Sequence, residues 1–252
     1  LLRPLNPVWR LPRLVAHRGG GTAAPENTLA GLRAAAEHGF RAVEFDVMLS
    51  ADGVPVLIHD ETLERTTSGT GLVCETSFDS LRRLDAGSWR DARFAGEPIP
   101  GFDEALDACR ALGLAANVEI KPAQGHDSET GREVARVALA RGDGLDLVIS
   151  SFSLTALREA QKHAPDLPRG VLFRDLPIDW LGIVRRANAV SVHCEWSALR
   201  GAALDAALAA GVPVVVYTCN DADQARRLLD AGVAGVITDR LDLPAAMAAA
   251  DL

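Results

Sequence analysis

Short runs of β-branched and apolar residues recur along the chain. Between most of them lie alanine-rich stretches whose apolar positions return every three or four residues. The apolar runs at 14–17, 42–49, 115–120, 145–150, 169–173, 189–193, 213–218 and 235–238 read as strands. Helical periodicity follows at 27–38, 103–111, 128–141, 154–163, 199–210, 222–231 and 243–250. Asn27 is the expected N-cap of the first helix and Gly39 its stop. Alternation of this kind builds a parallel sheet with crossover helices. Eight such units in 252 residues is the size of an α/β protein of the (β/α)8 TIM barrel class.

The repeat is interrupted once. About 65 residues separate the second and third barrel strands, with a turn at Asp52-Gly53, a further apolar run at 54–59 and the segment TTSGTG at 66–71. The pattern predicts a strand returning from the turn, then a small insertion over about 50–100 with a helix near 80–86. No charge block, proline-rich linker or low-complexity tract marks a second domain, so residues 1–252 are expected to form one barrel domain.

Composition narrows the functional classes. Acidic residues number 34 against 26 basic ones, a net charge of −8 that argues against a nucleic-acid surface. Only Lys121 and Lys162 are lysines, which makes a lysine at a strand end conspicuous. The longest apolar stretch, 206–219, has 14 residues and contains Pro213, too short for a membrane span, and no stable membrane insertion is expected. The opening LLRPLNPVWRLPR carries three prolines and no long apolar run, and does not read as a secretory signal. Cys74, Cys109, Cys194 and Cys219 make no CxxC or other close pair, which fits inert reduced thiols and a cytoplasmic location.

Barrel active sites form at the carboxyl ends of the strands, and there the sequence is polar. His17-Arg18 follows the first strand, Glu44 and Asp46 lie on the second, His59-Asp60 ends the returning run, and Glu119 and Lys121 close the third. Glu44 and Asp46, two residues apart on a strand, point to the same face. Three carboxylates converging with Glu119 would suit a hard cation such as Mg2+ or Ca2+ better than zinc. The alternative is that each carboxylate pairs with an arginine or caps a helix. Two histidines beside such a site suit a proton donor and acceptor across a phosphoryl centre, with Arg18 and Lys121 neutralising phosphate oxygens.

The ordered set HRG (17–19), PENT (25–28), EFDV (44–47), DGVPVLIHD (52–60), LERTT (63–67), NVEIKP (117–122), VVVYTCN (214–220) and GVITDR (235–240) resembles the glycerophosphodiester phosphodiesterases, a family of phospholipase C-like barrels. The resemblance runs end to end apart from the first dozen residues. It implies hydrolysis of a small glycerophosphodiester to glycerol 3-phosphate and an alcohol. His17 and His59 would be the acid/base pair, Glu44, Asp46 and Glu119 would hold one divalent ion, Mg2+ or Ca2+, and Arg18 and Lys121 would contact phosphate. Tyr217 stands where many members have tryptophan before Thr-x-Asn. It and Phe152, after the Ser-Ser pair, are expected to wall the glycerol or the leaving group.

A lysophospholipase D-like phosphodiesterase acting on lipid is the alternative substrate class, although no amphipathic anchor with a basic face is visible. Neither monomer nor homodimer is favoured, since no heptads or long apolar surface stripe occur. Two motifs read as architecture. PENT starts the first helix with Glu26 near the barrel mouth, and the glycines at 19–21 form either a tight turn or a backbone cradle for phosphate. His38, His126, His163 and His193 have no partnering motif and are expected to be structural or surface residues.

Overall fold

A computed structural model describes residues 9–249. In chain order its elements are β1 (Leu14–Ala16), α1 (Leu29–Glu37), β2 (Ala42–Leu49), β3 (Pro55–Leu57), α2 (Phe78–Leu81), α3 (Phe102–Leu112), β4 (Ala115–Ile120), α4 (Asp127–Arg141), β5 (Leu147–Ser151), α5 (Leu154–His163), β6 (Arg169–Phe173), α6 (Trp180–Arg186), β7 (Ser191–Glu195), α7 (Ala202–Ala209), β8 (Val214–Tyr217), α8 (Ala222–Asp230), β9 (Gly235–Thr238) and α9 (Leu243–Ala249). Eight strands are parallel and close on themselves, because β1 pairs with β9 on one side and with β2 on the other. The ninth, β3, returns antiparallel along the outer end of β2. This is the TIM barrel that the alternating pattern predicts.

Apolar burial divides by position. Leu11, Val15, Ala42, Val148, Val215 and Ile237 pack inside the barrel with Trp9, which approaches Gly235 closely and meets His193 edge-on at 5.7 Å. Two larger clusters lie between strands and helices, one around Phe45, Phe102 and Val118, the other around Val171, Val192 and Val214. The segment between β2 and α3 has its own apolar cluster, with Val56, Leu63, Val73, Leu81 and Ile99 gathered on Met48 of β2. That anchorage holds an otherwise irregular segment against the barrel mouth.

Several element bounds depart from the sequence reading. Thr28, not Asn27, caps α1, its side chain accepting from the Gly31 amide, while Asn27 sits in the left-handed region at φ 55°. The helix expected near 80–86 is the single turn α2, after which the Asp85 carboxylate takes the amides of Gly87 and Ser88 and turns the chain. Helix α6 has no counterpart in the sequence reading, because seven residues interrupted by Gly182 give too short a periodic signal. Strand β7 lies two residues beyond its expected span of 189–193. The predicted end of the last helix, Ala250, and residues 1–8 of the N-terminal reading lie outside the described residues.

Candidate active site

Parallel register brings the carboxylates together. Pairing of β2 with β4 sets Asp46 opposite Glu119 and Glu44 opposite Asn117. Ligand oxygens of Glu44, Asp46 and Glu119 all lie within 4.8 Å of one another. Glu44 and Asp46 are almost wholly buried. Burial, and then the charge of Asp46, push Glu44 up to about 7. Glu119 is raised well above the carboxylate range by burial and by the charges of Asp46 and Glu44. Asp46 goes the other way. Burial would raise it, but Lys121, His59, Arg18 and the Asn27 hydrogen bond together outweigh that and hold it low.

Among the described residues Glu119 has no ion-pair partner, so the arginine-pairing alternative fails for this carboxylate. Lys121 Nζ stands 3.6 Å from Asp46 Oδ1, and Arg18 Nε stands 3.7 Å from Asp46 Oδ2. Two buried carboxylates and a half-buried third, with an excess of negative charge, fit a hard divalent cation, since burying that charge uncompensated is costly.

The β1–α1 turn shapes one side of the site. Arg18 has φ 49°, which turns its backbone amide onto Glu44 Oε2 at 2.9 Å. The Gly19, Gly20 and Gly21 amides bond Glu44 O, Arg18 O and His17 O. With all three donors already spent on backbone carbonyls, one of them on β2, the glycines are a tight turn and not a phosphate cradle. A Cβ on Gly21 would lie 2.2 Å from Asp239 O, so only glycine lets this turn lie against the end of β9. Asn27 exchanges two hydrogen bonds with Asp46, Nδ2 to Oδ2 at 2.9 Å and the Asp46 amide to Oδ1 at 3.0 Å. Its role is to orient a carboxylate rather than to cap a helix.

Each of the two histidines at the mouth is held by a carboxylate on Nδ1. His17 Nδ1 lies 2.6 Å from Asp239 Oδ1, with His17 Nε2 directed toward Glu44 at 3.8 Å. His59 Nδ1 lies 2.6 Å from Asp60 Oδ1. Asp239 is itself fixed by Asn220, whose Nδ2 donates to Oδ2 at 2.8 Å. Burial lowers both imidazoles. For His17 the Asp239 hydrogen bond and the charges of Glu44 and Asp239 overcome it and raise the group, whereas for His59 burial prevails and the group stays low. Asp239 and Asn220 were not singled out in the sequence, although both stand in the quoted VVVYTCN and GVITDR motifs.

Beyond Glu119 and Lys121 a cleft of about 450 Å³ opens between the ends of β4, β5 and β6, bordered also by Asp127, Phe152 and Arg174. Phe152 is 48% exposed and meets Tyr217 edge-to-face at 6.2 Å. The Tyr217 hydroxyl donates to Phe173 O at 2.8 Å, which ties the ring to the end of β6. His193, by contrast, is fully buried within the barrel against Ser191 and Trp9, as expected of a structural histidine.

Residues 17–243 match the glycerophosphoryl diester phosphodiesterase family. The chain belongs to that family. A glycerophosphodiester phosphodiesterase of Caldanaerobacter subterraneus subsp. tengcongensis is 33% identical over 228 residues, covering 90% of this chain and 93% of that protein. An Oleispira antarctica phosphodiesterase, solved in complex with the product sn-glycerol-3-phosphate, superposes with a TM-score of 0.90 at 36% identity over 96% of this chain and 97% of its own. The glycerophosphodiester phosphodiesterase from Agrobacterium tumefaciens str. C58 superposes with a TM-score of 0.79 at 32% identity, over 94% of this chain and all of its own. Family membership accounts for the ordered motifs of the sequence, and the matched span includes every mouth residue described above. No helix among the described residues is long and apolar enough to cross a membrane.

Proposed function

We propose that the chain hydrolyses small glycerophosphodiesters to sn-glycerol 3-phosphate and an alcohol, with His17 and His59 as the acid/base pair. The observation that carries this reading is the matched pair of carboxylate-held imidazoles beside a buried carboxylate cluster. A carboxylate on Nδ1 fixes the tautomer and leaves Nε2 to exchange a proton with substrate. Opposite displacement of the two imidazoles from the ordinary histidine value is what an acid and a base working together require.

Arg18 and Lys121 would bind the phosphate oxygens. Arg18 Nε is buried with no hydrogen-bond partner among the described residues, a donor still to be used. Phe152 and Tyr217 would wall the organic part of the substrate. Glu44, Asp46 and Glu119 would hold one divalent cation, Mg2+ or Ca2+, which when bound offsets charge on the phosphoryl oxygens and acidifies a nearby hydroxyl.

In the first step one histidine removes the proton of the glycerol 2-hydroxyl. That oxygen attacks phosphorus, and the other histidine protonates the departing alkoxide. Water then opens the cyclic phosphate with the proton movements reversed. An internal nucleophile gains effective molarity that external water lacks, which favours this order of events.

The test is release of glycerol 3-phosphate from glycerophosphocholine and glycerophosphoethanolamine, with Mg2+, with Ca2+ and with EDTA. Cation-dependent release that is lost in His17→Ala and in His59→Ala supports the reading. Release unaffected by either substitution removes the acid/base assignment. A parallel assay on a lysophospholipid separates small diesters from lipid as the substrate class.

A further inference from the structure

The reading above leaves Arg65 without a task, yet its three guanidinium nitrogens are all engaged. Arg65 belongs to the LERTT segment of the insertion and is 43% exposed at its side chain. Its Nη1 and Nη2 grip the two oxygens of Glu26, each at 2.8 Å, and its Nε donates to Asp60 Oδ2. Glu26 Oε1 also accepts from Arg18 Nη1 at 2.8 Å, and Asp60 Oδ1 holds His59 Nδ1 at 2.6 Å. The result is one unbroken chain of side-chain contacts, Arg18 to Glu26 to Arg65 to Asp60 to His59. It joins two segments far apart along the chain, the β1–α1 turn that carries Arg18 and Glu26 and the insertion that carries His59, Asp60 and Arg65.

Resting on the phosphodiesterase reading, we infer that Arg65 is a positioning residue that fixes the phosphate-binding Arg18 and the acid/base His59 relative to each other. Isolated ion pairs at a surface contribute little, because two long side chains must be held still in water. Here the geometry differs. A bidentate fork constrains direction as well as distance, and both carboxylates it grips are already tied to a second group. Neither Glu26 nor Asp60 can swing without dragging the other end. Reacting groups displaced by about 1 Å lose on the order of a hundredfold in rate, so an anchor shared by both ends acts on catalysis without touching substrate.

Chemistry at Arg65 is specific. Lysine has one ammonium and no fork, so it can satisfy Glu26 or Asp60 but not both in the present geometry. If the insertion merely needed a charge here for folding, lysine would serve.

The experiment compares wild type, Arg65→Ala, Arg65→Lys and Arg82→Ala, the last breaking a pair between the insertion and Glu104 of α3. Two readouts need no turnover. The ¹⁵N chemical shifts of His59 report whether a single tautomer is held, and calorimetric titration with glycerol 3-phosphate reports the Arg18 end. Arg65→Ala is expected to give mixed His59 tautomers and about tenfold weaker glycerol 3-phosphate binding, with kcat lowered and KM raised together. Arg65→Lys should restore one end only, millimolar guanidinium should recover part of the Arg65→Ala loss, and Arg82→Ala should match wild type. A His59 tautomer and a glycerol 3-phosphate affinity both unchanged in folded Arg65→Ala would overturn the inference, as would full recovery by lysine. Wild type inactive on every glycerophosphodiester would instead strike the phosphodiesterase reading, and the two turnover-free readouts would still judge Arg65.

Discussion

Acidification should loosen the hold of the carboxylate cluster on a divalent cation, by an amount that follows from Glu44. Burial, and then the charge of Asp46, place this carboxyl at about 7. A cation needs the carboxylate form, so the proton is its competitor. Since Glu44 is displaced upward, its contribution to affinity is complete above pH 7 and falls away as the pH drops below. Each pH unit below that point costs about tenfold in apparent affinity, or about 1.4 kcal/mol, and acidifying from about pH 8 to about pH 5 costs on the order of a hundredfold. Glu119, raised by burial and by Asp46 and Glu44, steepens the fall. Asp46 does not take part, because despite its burial Lys121, His59, Arg18 and Asn27 keep it ionised across this range. Calorimetric titration of Mg2+ and Ca2+ at several pH values, in two buffers of different ionisation enthalpy, measures both the affinity and the protons displaced. About one proton or more should leave per cation bound near pH 6. In Glu44→Gln the cation should bind more weakly, with a shallower pH dependence. Affinity independent of pH over this range, with no proton displaced, would refute the argument that Glu44 and Glu119 are ligands whose charge is uncompensated.

Other consequences are equally open to measurement. Asp239→Asn keeps the shape but removes the charge that holds the His17 tautomer, so kcat should fall on the order of a hundredfold with the circular dichroism spectrum unchanged. His193 is buried and neutral, held at about 3 by burial, against 6.5 for an ordinary imidazole. It therefore contributes stability present above pH 6.5 that is lost as the pH falls toward 3, about 4–5 kcal/mol in all. Urea denaturation at several pH values should show His193→Gln to be less acid-sensitive than wild type. Gly21→Ala places a Cβ 2.2 Å from Asp239 O at φ 51°, and should destabilise by roughly 1–3 kcal/mol and lower activity, read by thermal denaturation and by turnover.

What the sequence made legible was mostly local. A carboxylate inside an apolar run, two residues from a second, announces a shared strand face, and Glu44 and Asp46 are found on one. Histidines ending apolar runs mark the mouth of a barrel in the same way. Long-range partners leave no such trace. His17 and Asp239 are 222 positions apart, and nothing in TDR distinguishes that aspartate from the many others. The sequence offers Asn27 as the cap where Thr28 takes that place, because asparagine and threonine both make good caps and only the left-handed backbone at 27 decides between them. Arg65 is one arginine among many in a chain with only two lysines, so composition hid it.

The site is in large part a consequence of strand register. Pairing of β1 with β9 sets Ala16 beside Thr238, so the next residues, His17 and Asp239, leave the barrel side by side and meet at 2.6 Å. Pairing of β2 with β4 sets Asp46 beside Glu119 by the same rule. Side chains alternate with a period of two, so a slip of one residue in a ladder would turn one partner away from the other and end the arrangement which that ladder sets. His59 lies outside this logic, because β3 is not a barrel strand and its end is fixed by no parallel neighbour. It is held instead by Asp60 and, through Arg65, by Glu26 on the opposite turn. One histidine is thus placed by closure of the barrel and the other by a side-chain network. Arg65 is therefore the position at which a substitution should disturb one imidazole and leave the other where it is.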